Sequence, residues 1–175
     1  MDAARRGFLR GGFLTRQGRA EIGLQGRALG PAPPWHRGRL SQQACGACER
    51  PCVGACETGI LRIHGVGHPL SELPYLSFEA GGCSYCRACL KACPMEIKDS
   101  GPEPPRLGCA RLDTTLCLAW NGVICMSCQS PCSFRAISLD RRGRPAVAAP
   151  VCTGCGRCVA VCPEGAITVV AASDG

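Results

Sequence analysis

Cys152-Thr153-Gly154-Cys155-Gly156-Arg157-Cys158-Val159-Ala160-Val161-Cys162-Pro163 decides how this chain is read. Three cysteines separated by two residues each can turn their sulfurs toward one centre, and a fourth follows after three more residues, just before a proline that releases the chain. The same spacing recurs upstream in CSYCRACLKACP, at Cys83, Cys86, Cys89, Cys93 and Pro94. Two further groups are less regular. Cys45, Cys48, Cys52 and Cys56 are spaced C-x2-C-x3-C-x3-C, and Cys117, Cys125, Cys128 and Cys132 are spaced C-x7-C-x2-C-x3-C. A short hydrophobic step follows each group: Ile60-Leu61, Ile97, Ala136-Ile137 and Ala166-Ile167. The fourfold repeat is therefore visible outside the cysteines as well.

The composition explains why such groups are needed. A chain of 175 residues with 4 Phe, 2 Tyr and 2 Trp has too few large side chains for one sizeable core, whereas 17 cysteines point to disulfides or metal sites. Arg5, Arg6, Arg10, Arg16, Arg19 and Arg27 interrupt every candidate apolar run near the start, so the sequence predicts neither a secretory leader nor a transmembrane segment. A reducing compartment and metal binding follow as expectations. Zinc, which uses C-x2-C pairs, is the main alternative to iron. Closely spaced cysteine triplets with a prolyl fourth position fit cubane iron–sulfur clusters better.

In two-cluster ferredoxins the fourth cysteine of each run ligates the other cluster. Tandem exchange gives the sets Cys45, Cys48, Cys52 with Cys93, and Cys83, Cys86, Cys89 with Cys56. It also gives Cys117, Cys125, Cys128 with Cys162, and Cys152, Cys155, Cys158 with Cys132. A nested exchange, between groups one and four and between groups two and three, is compatible with the same spacing. Tandem exchange closes only local loops of 26 and 19 intervening residues and is favoured on entropy. Cys109 remains over; it reads as a free or packed thiol, with replacement of Cys117 as the alternative.

The predicted fold is α+β, with two tandem bacterial-type two-cluster ferredoxin-like domains stabilised by their clusters. Residues 1–44 form a basic arm, 45–98 and 109–172 the two domains, and the proline-rich 99–108 the linker. Strand pieces are expected at Leu61–Ile63, Tyr75–Phe78, Ile137–Leu139 and Ala146–Val147, separated by glycine-bearing turns. A short helix over Ala4–Leu14 is opposed by Gly7, Gly11 and Gly12.

Residues 1–44 hold 8 Arg against 2 acids, while the rest of the chain is close to balanced. Since each oxidised all-thiolate cubane adds about −2, the formal charge of +7 falls toward neutrality with four clusters, and nucleic acid is not an expected partner. Arg5-Arg6-Gly7-Phe8-Leu9 looks like the twin-arginine part of an export signal, but Arg10, Arg16 and Arg19 follow where its apolar region should begin. A docking arm for an acidic partner, through Arg5, Arg6 and Arg10, is the preferred reading, and a passive tail the bland one. His36, His64 and His68 read as ordinary loop residues. Tyr85 and Trp120 can shield sulfurs from water or simply fill core. No nucleotide loop, general base or nucleophile stands out, so electron transfer, and no self-contained enzyme, is expected.

The segments DAARRGFLRG, PAPPWHR, CGACERPCVGACETGIL, CSYCRACLKACP, CLAWNGVICMSCQSPCSFRAI and CTGCGRCVAVCPEGAI together resemble the ferredoxin-type F accessory proteins of the bacterial periplasmic nitrate reductase system. The resemblance implies four [4Fe-4S] clusters on the sixteen grouped cysteines, with Cys109 outside the pattern. It further implies a cytoplasmic protein that contacts the nitrate reductase catalytic subunit before export and assists its maturation, by electron transfer or by help with its iron–sulfur cluster. An electron-transfer subunit of another oxidoreductase complex is the competing reading.

Overall fold

The computed structural model describes residues 29–36, 40–95, 97 and 101–172. In chain order these residues form α1 (Gln42–Gly46), α2 (Pro51–Gly54), β1 (Leu61–Ile63), β2 (Pro74–Leu76), α3 (Ala88–Lys91), β3 (Gly108–Leu112), β4 (Ile137–Leu139), β5 (Pro145–Val147), α4 (Arg157–Ala160) and β6 (Ile167–Ala171). Every element is short, as a chain interrupted so often by cysteine, glycine and proline requires. Helix α1 is capped by Ser41, whose Oγ accepts from the Ala44 N–H at 3.1 Å.

The strands pair in three antiparallel ribbons. β1 lies on β2 with Leu61 opposite Leu76, β4 on β5 with Ile137 opposite Val147, and β3 on β6 with Leu112 opposite Ile167. The β3–β6 ribbon joins residues far apart in sequence and closes the C-terminal half. Two-stranded ribbons of three to five residues are marginal alone, so their apolar faces need something further to pack on.

Two groups of side chains supply part of that packing. Ile60, Leu61, Leu76, Phe78 and Leu107 are buried together in the N-terminal half with Cys83. In the C-terminal half Ala110, Ala136, Ile137 and Ile167 are buried with Cys128, Cys152 and Cys158. Cys155, Val159 and Val169 reach from the second half onto the first group, so the two halves share packing.

Two stretches differ from their sequence-based reading. Leu107, expected in the linker, is 6% exposed, and its N–H donates to the Thr153 carbonyl at 2.8 Å. An apolar residue after three prolines is thus an anchor. Residues 31–36, expected in a loose arm, pack on the body: the Leu76 N–H donates to the Pro31 carbonyl at 2.9 Å, and Trp35 and His36 are buried. Ala4–Leu14, with Arg5, Arg6 and Arg10, lies outside the described residues. No helix among the described residues is long and apolar enough to cross a membrane.

Candidate metal centres

Four cavities, of about 380, 330, 340 and 350 Å³ of atom-free space, recur through the chain. Each is lined by four cysteines. The first is lined by Cys45, Cys48, Cys52 and Cys93, and the second by Cys83, Cys86, Cys89 and Cys56. The third has Cys117, Cys125, Cys128 and Cys162, and the fourth Cys152, Cys155, Cys158 and Cys132. Every cavity thus combines three cysteines of one group with the last cysteine of its neighbour. The same lining pattern repeated four times points to one kind of occupant.

Local backbone geometry explains the curvature of each loop. The residue two before the third cysteine is left-handed in three groups: Arg50 at φ 58°, Arg87 at 64° and Gly156 at 78°. A left-handed residue followed by a helical turn makes a concavity of inward backbone N–H groups, which suits an anionic occupant. A second left-handed residue lies three after the last cysteine, at Gly59, Arg135 and Gly165. It aims the next N–H back at the sulfur: Ala136 donates to Cys132 Sγ at 3.3 Å and Ala166 to Cys162 Sγ at 3.2 Å. The buried steps of the sequence repeat are therefore thiolate hydrogen-bond donors as well as core.

The electrostatics report the same grouping. Cys89 and Cys158 are pushed up to about 12, first by burial and then by neighbouring sulfurs: Cys83, Cys56 and Cys86 for Cys89, and Cys155, Cys152 and Cys132 for Cys158. Cys83 is pushed up to about 11, again mainly by burial. Burial also raises Cys45, Cys52 and Cys128. Cys56 goes the other way: burial pushes it up, but hydrogen bonds from Thr58 and the backbone of Ile60 and Leu61 outweigh that. Four thiolates facing one apolar hollow repel one another and lack water. A cationic core between them removes both penalties.

The cysteines are unpaired thiols. Among the described residues no three His, Cys, Asp or Glu side chains are grouped so as to hold a metal ion. A zinc ion needs its sulfurs at about 2.3 Å, hence almost touching; sulfurs set around a wider hollow suit an occupant with several metal atoms. The donor set, the hollow and the inward N–H groups together fit a cubane cluster.

Cys109 lines none of the four cavities. It lies on β3, packed against the C-terminal core, with its Sγ 3.5 Å from the Ala110 carbonyl. Tyr85 lines the second cavity, and its ring meets Phe134, which lines the fourth, edge to face at 6.0 Å. Trp120 sits beside the third group, pinned to β5 by its Nε1–H donating to the Pro145 carbonyl at 3.2 Å and by the Arg144 guanidinium 4.5 Å from its ring.

The sequence reading missed the roles of His36 and His64. His36 is 2% exposed and lines the first cavity; its Nδ1–H donates to the Pro34 carbonyl at 2.8 Å, and its Nε2 has no protein partner. His64 ties the entry segment down, accepting from the Leu29 N–H at 3.3 Å through Nε2 and donating from Nδ1 to the Leu73 carbonyl at 2.8 Å. Burial lowers the pKa of both imidazoles. Only the flanking PAPPW hinted at a buried turn.

Known proteins share these features. The family model of a 4Fe-4S dicluster domain matches residues 123–167. Along nearly its whole length, the chain is 34% identical to the ferredoxin-type protein NapF of Escherichia coli K12, over 176 residues that cover 96% of this chain and 94% of that protein. The chain belongs to the NapF family of ferredoxin-type proteins. A second NapF, from Haemophilus influenzae, is 32% identical over 94% of this chain and 92% of its own length. The ferredoxin-type protein NapG of E. coli K12 is 33% identical over 90% of this chain and 80% of NapG. In this NapF-family chain the dicluster match spans β4, β5 and α4 and holds seven of the eight cysteines that line the third and fourth cavities, from Cys125 to Cys162, leaving out only Cys117. The mixed α/β, ferredoxin-like character of that region is thereby established.

Proposed function

We propose that this chain is a cytoplasmic accessory protein with four [4Fe-4S] clusters, which assists maturation of the catalytic subunit of the periplasmic nitrate reductase before export. Two tandem ferredoxin-like units, 45–98 and 109–172, each hold two clusters, with the ligand sets that line the four cavities. When bound, such a cluster supplies one-electron redox chemistry. The chain's own contribution is to place four thiolates, turn backbone N–H groups onto them and exclude water with Trp35, Tyr85 and His36. A role in passing electrons to the immature enzyme, or in helping its iron–sulfur cluster, follows from complete cysteine sets, which favour resident clusters over labile ones. Arg5, Arg6 and Arg10 serve docking.

The observation that carries this reading is the recurrence of one cavity four times, each with three cysteines of one group and one of the next. Membership of the NapF family, with similarity over 96% of the chain, supports it. The decisive experiment has two arms. Anaerobic purification is expected to give about sixteen irons and about sixteen acid-labile sulfides per chain; a zinc-loaded, sulfide-free protein overturns the cluster assignment. Pull-down of the catalytic precursor is then compared between the intact chain and one lacking residues 1–28, a cut that spares the packed segment 31–36. Binding by the intact chain alone assigns docking to the arm. Absence of binding by both overturns the accessory role.

A further inference from the structure

The two halves meet at the loops of the second and fourth cysteine groups. The Cys83 N–H donates to the Cys155 carbonyl at 2.7 Å, and the Tyr85 hydroxyl donates to the Thr153 carbonyl at 3.3 Å. The approach is too close for side chains. A Cβ on Gly82 would lie 2.5 Å from the Arg157 nitrogen and 2.7 Å from its Cα, and a Cβ on Gly156 would lie 2.1 Å from the Phe78 ring. Cys83 and Cys155 line different cavities, so a single hydrogen bond joins the backbone of a second-cavity cysteine to that of a fourth-cavity cysteine. Within each half the cavities are interleaved, the first and second by Cys56 and Cys93 and the third and fourth by Cys132 and Cys162.

We propose that the Cys83–Cys155 contact is the electron junction between the halves, so that the four sites run in the order first, second, fourth, third, and not in sequence order. One electron crosses per event: the site on one side is oxidised by one electron and the other reduced by one, with no bond or proton changed. The first site and the third become the two ends of the chain, where an external donor and acceptor meet the protein. This rests on the four-cluster reading above. Gly82 and Gly156 act as positioning residues, since their missing side chains let the loops touch.

The test uses anaerobically purified full-length protein reduced with sodium dithionite and examined by electron paramagnetic resonance. One variant carries Cys45, Cys48, Cys125 and Cys128 changed to Ala, leaving the second and fourth sites with all four cysteines in place. Its mirror carries Cys83, Cys86, Cys152 and Cys155 changed to Ala, leaving the first and third. With about eight irons each, the first variant is expected to show magnetic interaction between its clusters and the mirror two independent signals. Independent signals in the first, or equal interaction in the mirror, overturn the junction. In the otherwise unchanged protein, Gly82→Val is expected to slow spin relaxation of the second site several-fold while iron stays at about sixteen; unchanged relaxation overturns the proposal even if the quadruple variants do not fold. Iron and sulfide counts judge the four-cluster reading separately, since correct counts with no interaction remove the junction alone.

Discussion

Trp35 and His36 are adjacent in the chain yet cover different cavities: the Trp35 ring lies against the second and the His36 imidazole against the first. Trp35 achieves this through a left-handed backbone at φ 67°, and it packs edge to face on Tyr85 with ring centres 6.3 Å apart. The pair therefore separates the two N-terminal sites experimentally. Trp35→Ala removes a large buried ring, at a cost of about 3–5 kcal/mol, and is expected to expose the second site to water and dioxygen. His36→Ala is expected to expose the first. Aerobic bleaching of the visible absorption should speed up several-fold for about four of sixteen irons in each variant. Equal loss from all four sites would show that the segment supports the fold as a whole instead.

Arg135 offers a test of the backbone geometry. It is exposed, holds φ 51°, and turns the Ala136 N–H onto Cys132, a position that Gly59 and Gly165 fill in two of the other repeats. A left-handed non-glycine residue costs roughly 1–2 kcal/mol, partly offset in a glycine variant by about 0.4–1 kcal/mol of extra freedom in the unfolded chain. Arg135→Gly is thus expected to raise the thermal midpoint slightly, and Gly165→Val to lower it clearly. The paired measurement is a melting curve of the cluster-loaded protein; a lower midpoint for Arg135→Gly would place value on the guanidinium that its exposure does not suggest.

Much of the fold was legible because the cysteine repeat carries its own geometry. The steps Ile60-Leu61, Ala136-Ile137 and Ala166-Ile167 were legible as a hydrophobic repeat, and each pair is buried. The four expected strand pieces fall within a residue or two of β1, β2, β4 and β5, whereas β3 and β6, which pair across the C-terminal half, were not expected. What was not legible depends on long-range packing. Leu107 and the 31–36 segment have loop-like composition, and only the neighbouring half makes them core. The left-handed turns at Arg50, Arg87 and Arg135 carry no glycine to announce them. His36 had no periodic pattern around it to signal burial, and the meeting of Cys83 with Cys155 joins residues 72 positions apart, beyond any local spacing rule.

Thr58 is the clearest lever on redox properties. Its hydroxyl lies 3.6 Å from Cys56 Sγ, and with the Ile60 and Leu61 backbone it holds that thiol below its ordinary range despite burial. Hydrogen bonds to a cluster thiolate favour the more negative, reduced state. Thr58→Val keeps the shape and removes the hydroxyl, so the second site is expected to become harder to reduce. A lost bond worth about 1 kcal/mol corresponds to a shift on the order of tens of millivolts for one electron. Potentiometric titration followed by electron paramagnetic resonance reads this directly, and an unchanged potential would limit the hydroxyl to a packing role.

Cys109 and Cys93 separate ligand from bystander. Cys109→Ala is expected to leave iron at about sixteen, because its side chain packs on the C-terminal core and lines no cavity. Cys93→Ala is expected to alter the first site, although Cys93 belongs to the second sequence group. Signal loss centred on the third site would favour nested exchange of the last ligands. Loss centred on the second would mean that each group keeps its own fourth cysteine.

Cluster removal tests what holds the fold. The buried aliphatic residues are few, the ribbons contain three to five residues each, and the apolar faces of Ile60, Leu61, Ala136 and Ile137 lie beside cavities ringed by cysteine. Without a core between them, the thiols raised by burial remain protonated, and the hollows lose the attraction that brings four loops together. Ligand binding to the folded state alone stabilises it, and structural metal sites commonly supply most of the folding free energy of small domains. Treatment with ferricyanide and a chelator is therefore expected to abolish strand and helix signals in circular dichroism together with the visible absorption, in both halves. If secondary structure survives with iron below one atom per chain, apolar packing and the β3–β6 ribbon hold the fold without the clusters.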